Sequence, residues 1–333
     1  MATLKDVAKC ANVSIATVSK VVNNVDSYMS DETRRRVEAA IEECGYIPNM
    51  VARGLKIRKT NTLGFILPDI TNPFYAEIAK GIEMIARERG YSLVICDTSV
   101  SLEAELQSIE ILKTKMVDGI ILGSRMFYYD EMDEDTFGKI PVVIIGRILG
   151  EPKLRKWGQV SIDEKRMISE SVYRLKEAGC RQIALITANE TGEHAKNFRL
   201  TGFLDAMKTE GLELHSERVF LGEYDLSTGY EGMRVLFQKQ IPVDGIVCGN
   251  DLIAIGVLKA ARELHIPIPE KLKVIGFDNI PISEYTNPSL STISQPAYHI
   301  GEIASEMLID HIEKNAELRV HFLEHTYIER ETV

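Results

Sequence analysis

The sequence predicts an α/β protein: an N-terminal all-α helix-turn-helix head, followed by a two-lobed core of doubly wound parallel sheets. Three observations carry that prediction. The first 45 residues hold three short amphipathic patterns separated by turn residues. From Leu63 onward, short apolar runs alternate with helical patterns, and near residue 159 that alternation restarts. A chain of 333 residues is too long for one small core and suits two or three domains. With 45% hydrophobic and 26% charged residues, the composition is that of an ordinary soluble globular protein.

In the head, "TLKDVAKCA" offers Thr3 as a cap, Asp6 in the first turn, and Leu4, Val7, Ala8 and Ala11 at helical spacing. Asn12 tolerates the left-handed backbone of a tight turn, and Ser14 can cap a second helix that turns Val18, Val21 and Val22 inward. Two helices around so short a turn form a helix-turn-helix, whose second helix enters the major groove of DNA by its N-terminal residues. The same pattern could also serve as a plain packing unit. A third helix begins at the Ser30 cap, buries Val37, Ala40, Ile41 and Cys44, and stops at Gly45. Charge favours the DNA reading. Residues 1–60 hold 10 Lys and Arg against 7 Asp and Glu, a net +3; the other 273 hold 29 against 42, a net −13. A basic head on an acidic body confines contact with a polyanion to the head.

After the head, Pro48 blocks helix before it, Asn49 can cap, and "NMVARGLK" spans about two turns. So short a helix, weakened further by Gly54, forms only with outside support. The body then reads as strands "TLGFILPD", "YSLVICDT", "DGIILG" and "PVVIIG", followed by "QVSID", "QIALIT", "RVFLGE", "DGIVCGND" and "LKVIGFD", with amphipathic helices between. Continuous apolar strands alternating with helices mean parallel sheets covered on both faces, and two such runs mean two lobes. Ligands in such sheets sit at the carboxyl ends of the strands, where polar residues gather here in "DITNPFY", "GRILG", "GND", "FDN" and "STISQP".

The string "DVAKCANVSIATVSKVVNN…YIPNMVARGLK" strongly resembles the N-terminus of the lactose-repressor/purine-repressor family of bacterial transcription regulators, and the resemblance extends along essentially the whole chain. "SIATVS" is most similar to the catabolite-control branch. The resemblance implies a homodimeric repressor that binds a palindromic operator with a central CG step. Domains follow as a head over 1–48, a hinge helix over 49–60 and a core over 61–333. Bases would be read by Ile15, Ala16, Thr17 and Lys20: a lysine can donate to guanine O6 or N7, and Ile15 and Ala16 can meet a thymine methyl. Thr3, Ser14, Ser19 and Asn23 suit phosphates, which position without specifying. In the hinge, Asn49 caps, Arg53 and Lys56 suit phosphates, and Leu55 would wedge into the minor groove.

For the core, the resemblance is to ribose-binding periplasmic proteins, with lobe crossings near 162, 290 and 323. It implies a small carbohydrate-like effector held by Asp69, Asn72 and Phe74 after the first strand, Arg147 after the fourth and Asp163 after the fifth. Arg199, Tyr224, Asn250, Asp278 and Gln295 complete the set. Planar Arg, Asn, Asp and Gln side chains bind vicinal hydroxyls bidentately, and Phe74 and Tyr224 can stack on a sugar's CH face. One departure matters: the sugar-binding pattern has an acidic residue where this chain has Gly146, which leaves both a neutral and an acidic sugar open.

Other classes find no support. The chain has no G-x-G-x-x-G, Walker loop or G-x-S-x-G elbow, so neither catalysis nor a cofactor is expected. Five widely spaced cysteines form no C-x-x-C pair, and the seven histidines are scattered, so no disulfide framework and no metal site is expected. No apolar run reaches the roughly 18 residues of a membrane span and no signal peptide is visible, which points to the cytoplasm. A solute-binding protein that senses a sugar without touching DNA is the alternative, and it would need an export signal. Regulators of the catabolite-control branch dock a phosphorylated carrier protein through basic residues on a core helix. The matching helix here carries Glu306 and Asp310, so that partner is not expected.

Overall fold

The structure, a computed structural model, describes residues 2–22, 29–46, 59–123, 136–146, 157–189 and 197–333. Asn23, Asn49, Arg53, Leu55, Lys56 and Arg147, and with them the expected hinge helix, lie outside the described residues. The chain divides into two compact units, Met1–Thr60 and Asn61–Val333.

The first unit contains α1 (Leu4–Cys10), α2 (Ile15–Val22) and α3 (Asp31–Glu43). Each start is capped. Thr3 and Asp6 form a reciprocal capping box, Ser14 Oγ accepts from Thr17 N at 3.0 Å, and Ser30 Oγ accepts from Thr33 N at 3.2 Å. Asn12 takes φ 49° in the turn between α1 and α2. Val7, Ala8, Ala11, Val18, Val21, Val37 and Ala40 close one small core, with Leu4, Val22, Ile41 and Cys44 packed against it.

The second unit holds two six-stranded sheets. The first lobe contains β1 (Thr62–Leu67), β2 (Ser92–Asp97), β3 (Gly119–Leu122), β4 (Val142–Ile145), β5 (Gly158–Ile162) and β11 (Val320–Leu323), in the order β11-β5-β4-β3-β1-β2. The second contains β6 (Ile183–Ala188), β7 (Val219–Gly222), β8 (Gly245–Cys248), β9 (Lys273–Asp278), β10 (Ser291–Ser294) and β12 (Thr326–Ile328), in the order β12-β10-β9-β8-β6-β7. All neighbours are parallel except β10 and β12. The helices are α4 (Pro73–Glu88), α5 (Leu102–Thr114) and α10 (Ala297–Lys314) in the first lobe. The second has α6 (Glu164–Glu177), α7 (Phe198–Thr209), α8 (Leu226–Gln238) and α9 (Asp251–Glu263). Strand residues alternate between faces: Leu63, Phe65 and Ile121 join one apolar cluster, while Ile66, Ile120 and Leu122 join another. Burial on both faces is why these strands read as unbroken apolar runs.

The chain passes from the first sheet to the second after Ile162, returns after Ser294, and crosses again between Leu323 and Thr326. His321 lies on β11, and His325 falls in the crossing itself. Among the described residues, no helix is long and apolar enough to cross a membrane, and no three His, Cys, Asp or Glu side chains are grouped to hold a metal ion.

Each lobe contains a pair of helices in close backbone contact through glycines of both helices. A Cβ on Gly81 of α4 would strike the carbonyl of Tyr298 in α10, and one on Gly301 would strike that of Ile78. In the second lobe, a Cβ on Gly229 of α8 would strike the carbonyl of Ile253 in α9, and one on Gly256 that of Leu226. Backbone cannot retract as a flexible side chain does, so an added methyl must separate the helices. Gly229→Ala should therefore destabilise the protein by about 3 kcal/mol, lowering Tm by several degrees. An unchanged melting curve would mean that α8 and α9 can separate at no cost.

Candidate functional site

Polar side chains gather where the second sheet's strands end. β8 ends at Cys248, and two residues on, Asn250 caps α9. Its Oδ1 accepts from Ile253 N at 2.9 Å and its Nδ2 donates to Tyr224 O at 3.3 Å, so the amide of this fully buried residue works first for the fold. The next residue, Asp251, is also wholly buried. Its Oδ2 accepts from Ile280 N at 2.8 Å and Ser283 Oγ at 2.6 Å, and its Oδ1 from Thr292 Oγ1 at 2.6 Å. Burial pushes this carboxyl up to about 6, against the pull of those hydrogen bonds.

Beside it lies Asp278, the last residue of β9, with φ 111° and Asn279 next at φ 56°. Its Oδ1 accepts from Gln295 Nε2 at 2.6 Å. Burial raises the Asp278 carboxyl to about 8; the Arg199 charge pulls it down, and the charges of Asp251 and Glu164 push it up. Arg199, in the first turn of α7 and 8% exposed, donates through Nη1 to Gly249 O and lies 3.3 Å from Glu164 Oε1 through Nη2. Its guanidinium carbon sits 4.2 Å from the centre of the Phe277 ring and 4.7 Å from that of Tyr224. A cation this close to two aromatic rings is attracted by both.

The structure thus brings Arg199, Tyr224, Asn250, Asp278 and Gln295 into one cluster. The first-lobe residues form their own group at the end of β1. Asp69 Oδ1 accepts from Thr71 N at 2.8 Å, Asn72 caps α4 by accepting from Phe74 N at 3.1 Å, and Phe74 meets Tyr75 edge-on at 5.3 Å. Asp163, exposed, caps α6 by accepting from Arg166 N at 3.1 Å. Gly146, the departure noted above, adopts φ 118°, where any side chain would be strained. Sequence reasoning missed Glu164, Asp251 and Phe277. Glu164 looks like a favourable first-turn charge and Phe277 like strand core; only "FDN" at a strand end hinted at the latter.

On the head, α2 presents Ile15 at 44% exposure, with Ala16 and Lys20 exposed and Thr17 and Ser19 half-buried. Thr3 and Ser14 are exposed but their hydroxyls already serve the caps: Thr3 Oγ1 donates to Asp6 Oδ2 at 2.7 Å, and Ser14 Oγ is 2.8 Å from Thr17 Oγ1.

Residues 3–49 match the model of the bacterial regulatory proteins of the lacI family, and residues 172–333 match that of the periplasmic binding protein-like domain. The HTH-type transcriptional regulator RegA of Clostridium saccharobutylicum is 34% identical over 332 residues, covering 99% of this chain and 98% of that protein. Among solved structures, a complex of the transcriptional regulator CelR with cellobiose superposes with a TM-score of 0.72 at 29% identity, covering all of both chains. The lac repressor dimer bound to operator and the anti-inducer ONPF superposes with a TM-score of 0.88 at 24% identity, covering 99% of this chain and 98% of that one.

The Asp278 environment predicts a pH profile. A carboxyl that titrates near 8 when folded and near 3.8 when unfolded binds its proton more tightly in the folded state. Stability linked to it is complete below the unfolded value and is lost as pH rises toward 8. Asp278→Asn cannot ionise and tolerates the same backbone. Its Tm relative to wild type should climb between pH 4 and pH 8 and level off above. A difference that is flat with pH would mean that Asp278 is ionised throughout.

Proposed function

Because the chain belongs to the lacI family of bacterial regulatory proteins and is a transcriptional regulator, we propose that it represses by binding a palindromic operator as a homodimer, under the control of a small carbohydrate-like effector held between its two lobes. The observation that carries the effector half is the cluster at the strand ends of the second sheet: Arg199 against the rings of Phe277 and Tyr224, with Asp278 and Gln295 paired beside it. A ring offers a sugar an apolar face, while carboxyl, amide and guanidinium offer paired acceptors and donors to adjacent hydroxyls. A ligand lacking those hydroxyls would leave buried polar groups unmatched, which is the physical source of selectivity. Asp69, Asn72, Phe74, Arg147 and Asp163 would supply the opposing contacts.

Between a neutral and an acidic sugar, the electrostatics favour the neutral one. In the described part of the cluster, Glu164 Oε1 lies 3.3 Å from the Arg199 guanidinium, burial disfavours the charge on Asp278, and the charges of Asp251 and Glu164 disfavour it further. A carboxylate ligand would add a further negative charge to that set. The CelR complex, which holds cellobiose, is a neutral precedent in a related chain.

The mechanism is linkage. Effector binds one lobe arrangement better than the other, and the three crossings transmit that preference to the segment leading to the head, shifting operator affinity by the differential binding energy. In the head, Ile15, Ala16, Thr17 and Lys20 would meet base edges. Thr3, Ser14, Ser19 and Asn23, with Asn49, Arg53 and Lys56 of the hinge, would meet backbone, and Leu55 would wedge into the minor groove.

Two measurements test the two halves. Thermal melting of the full chain against pentoses, hexoses, polyols and sugar acids should raise Tm with a neutral sugar, because ligand that binds only the folded state must stabilise it. A shift with acids alone would reverse the preference argued from Glu164 and Asp278, and no shift with any compound would remove the carbohydrate reading. Duplexes selected from a random pool should be palindromic and bind with affinity that falls steeply with salt. Lys20→Ala should weaken the selected site by about 1–3 kcal/mol while relaxing preference at one base pair. Salt-independent binding would instead favour a sugar-sensing protein that does not act on DNA directly.

A further inference from the structure

The corner that carries Asp278 is held from outside the cleft. Asp278 and Asn279 take φ of 111° and 56°; asparagine tolerates the second, but the first is a conformation that a residue with a side chain keeps only where its surroundings over-determine it. Asp251 fixes the residue that follows, through Ile280 N. Asn279 is fixed from the opposite direction. Its Nδ2 donates to Ser294 Oγ at 3.3 Å, and its Oδ1 accepts from Arg330 Nη2 at 2.8 Å.

Arg330 is itself well anchored. Its backbone N–H donates to Ser291 Oγ at 2.9 Å and its Nη1 to Leu290 O at 2.7 Å. β12, which ends two residues earlier, pairs antiparallel with β10 through Thr292 and Ile328. Thr332 just beyond donates to Val274 O at 2.7 Å and accepts from Ser291 N at 2.8 Å. The chain's last segment is therefore fastened to β9 and β10 on both sides of Arg330, and its guanidinium reaches across β10 to the turn after β9. A planar fork can satisfy Leu290 O and Asn279 Oδ1 together; the point charge of a lysine cannot hold both in one geometry.

We propose that Arg330 is a positioning residue for the cleft: by holding the Asn279 amide it keeps the Asp278–Asn279 pair left-handed, and so aims the Asp278 carboxyl at Gln295 and the Arg199 cluster. The proposal rests on the reading of that cluster as the effector site, since what Arg330 sets is the orientation of a carboxyl that effector would meet. It also ties the third lobe crossing, which ends where β12 begins, to the same carboxyl, so that a movement of the crossing reaches Asp278 directly.

The test is amide hydrogen exchange on the full chain, comparing wild type, Arg330→Gln, Arg330→Lys, Asn279→Gly and the double variant Arg330→Gln/Asn279→Gly. With Arg330→Gln, the amides of residues 279 and 280 should exchange roughly tenfold faster, while α7 and the first lobe keep their protection. Arg330→Lys should restore part of that protection. In the Asn279→Gly background, Arg330→Gln should add less than about a twofold change, because glycine takes positive φ unaided and offers no amide to hold.

Equal acceleration in both backgrounds would overturn the proposal and leave Arg330 as a staple for Leu290 and Ser291 only. So would unchanged exchange in the Arg330→Gln single variant. If Arg330→Gln unfolds the second lobe, seen as lost protection in α7, the same comparison is made with Arg330→Lys in both backgrounds. None of these samples contains a sugar. Failure here leaves the effector reading intact, and failure of the sugar panel leaves the hydrogen-exchange result standing.

Discussion

The buried carboxylate of Asp251 is the contact on which the second lobe's working end depends. It sits at the start of α9, is wholly removed from solvent, and gathers donors from Ile280, Ser283 and Thr292, residues contributed by the connection after β9 and by β10 itself. An isolated carboxylate in such a place would be costly, and a set of well-aligned donors offsets that cost. The consequence is geometric. The same turn holds Asp278 and Asn279 at positive φ, helped by Asn279 N–H donating to Thr292 Oγ1 at 3.3 Å, by the Gln295 bond to Asp278 and by the Asn279 side-chain bonds to Ser294 and Arg330. A Cβ on Gly276 would strike the Asp251 carboxylate, so the strand below it must be bare at that point.

Around this corner, interactions serve two ends at once. Asn250 caps a helix and steadies Tyr224 through its backbone carbonyl. Arg199 bonds Gly249 and Glu164 while lying against two aromatic rings. A binding surface made of residues already fixed by the fold loses little freedom when it meets a ligand, which is the usual basis of tight recognition by a rigid site. The lobes themselves are stiff for a different reason: in each, two helices touch backbone to backbone through paired glycines. Stiff lobes joined by three short crossings leave the crossings as the place where relative motion of the lobes can occur.

The head follows a more local logic. Its core consists of small valines and alanines from three short helices, each begun by a hydroxyl cap, and this leaves the outer face of α2 to present Ile15, Ala16 and Lys20. Those caps are the reason that Thr3 and Ser14 are ordered where they are. Any role for their oxygens towards DNA would be added to hydrogen bonds they already make within the head.

The sequence by itself determined the three head helices, strands β1 to β9, the two-lobe pattern and most of the residues of the second-lobe cluster. These rest on local signals: period-3.6 faces with caps, doubly buried strands as unbroken apolar runs, and polar residues at strand ends. Asn12 and Ser30 could be assigned roles without any long-range information. Tertiary structure alone decided three things. It ran β12 antiparallel to β10, because the direction of a short edge strand is set only by how the last crossing delivers it to the sheet. It brought Glu164 and Phe277 to Arg199, since an acid in a helix's first turn and an aromatic in a strand look ordinary until the partner arrives from 35 and 78 residues away. And it set Arg330 against Asn279, 51 residues apart, a contact that no period or motif encodes because it exists only once β12 has paired with β10.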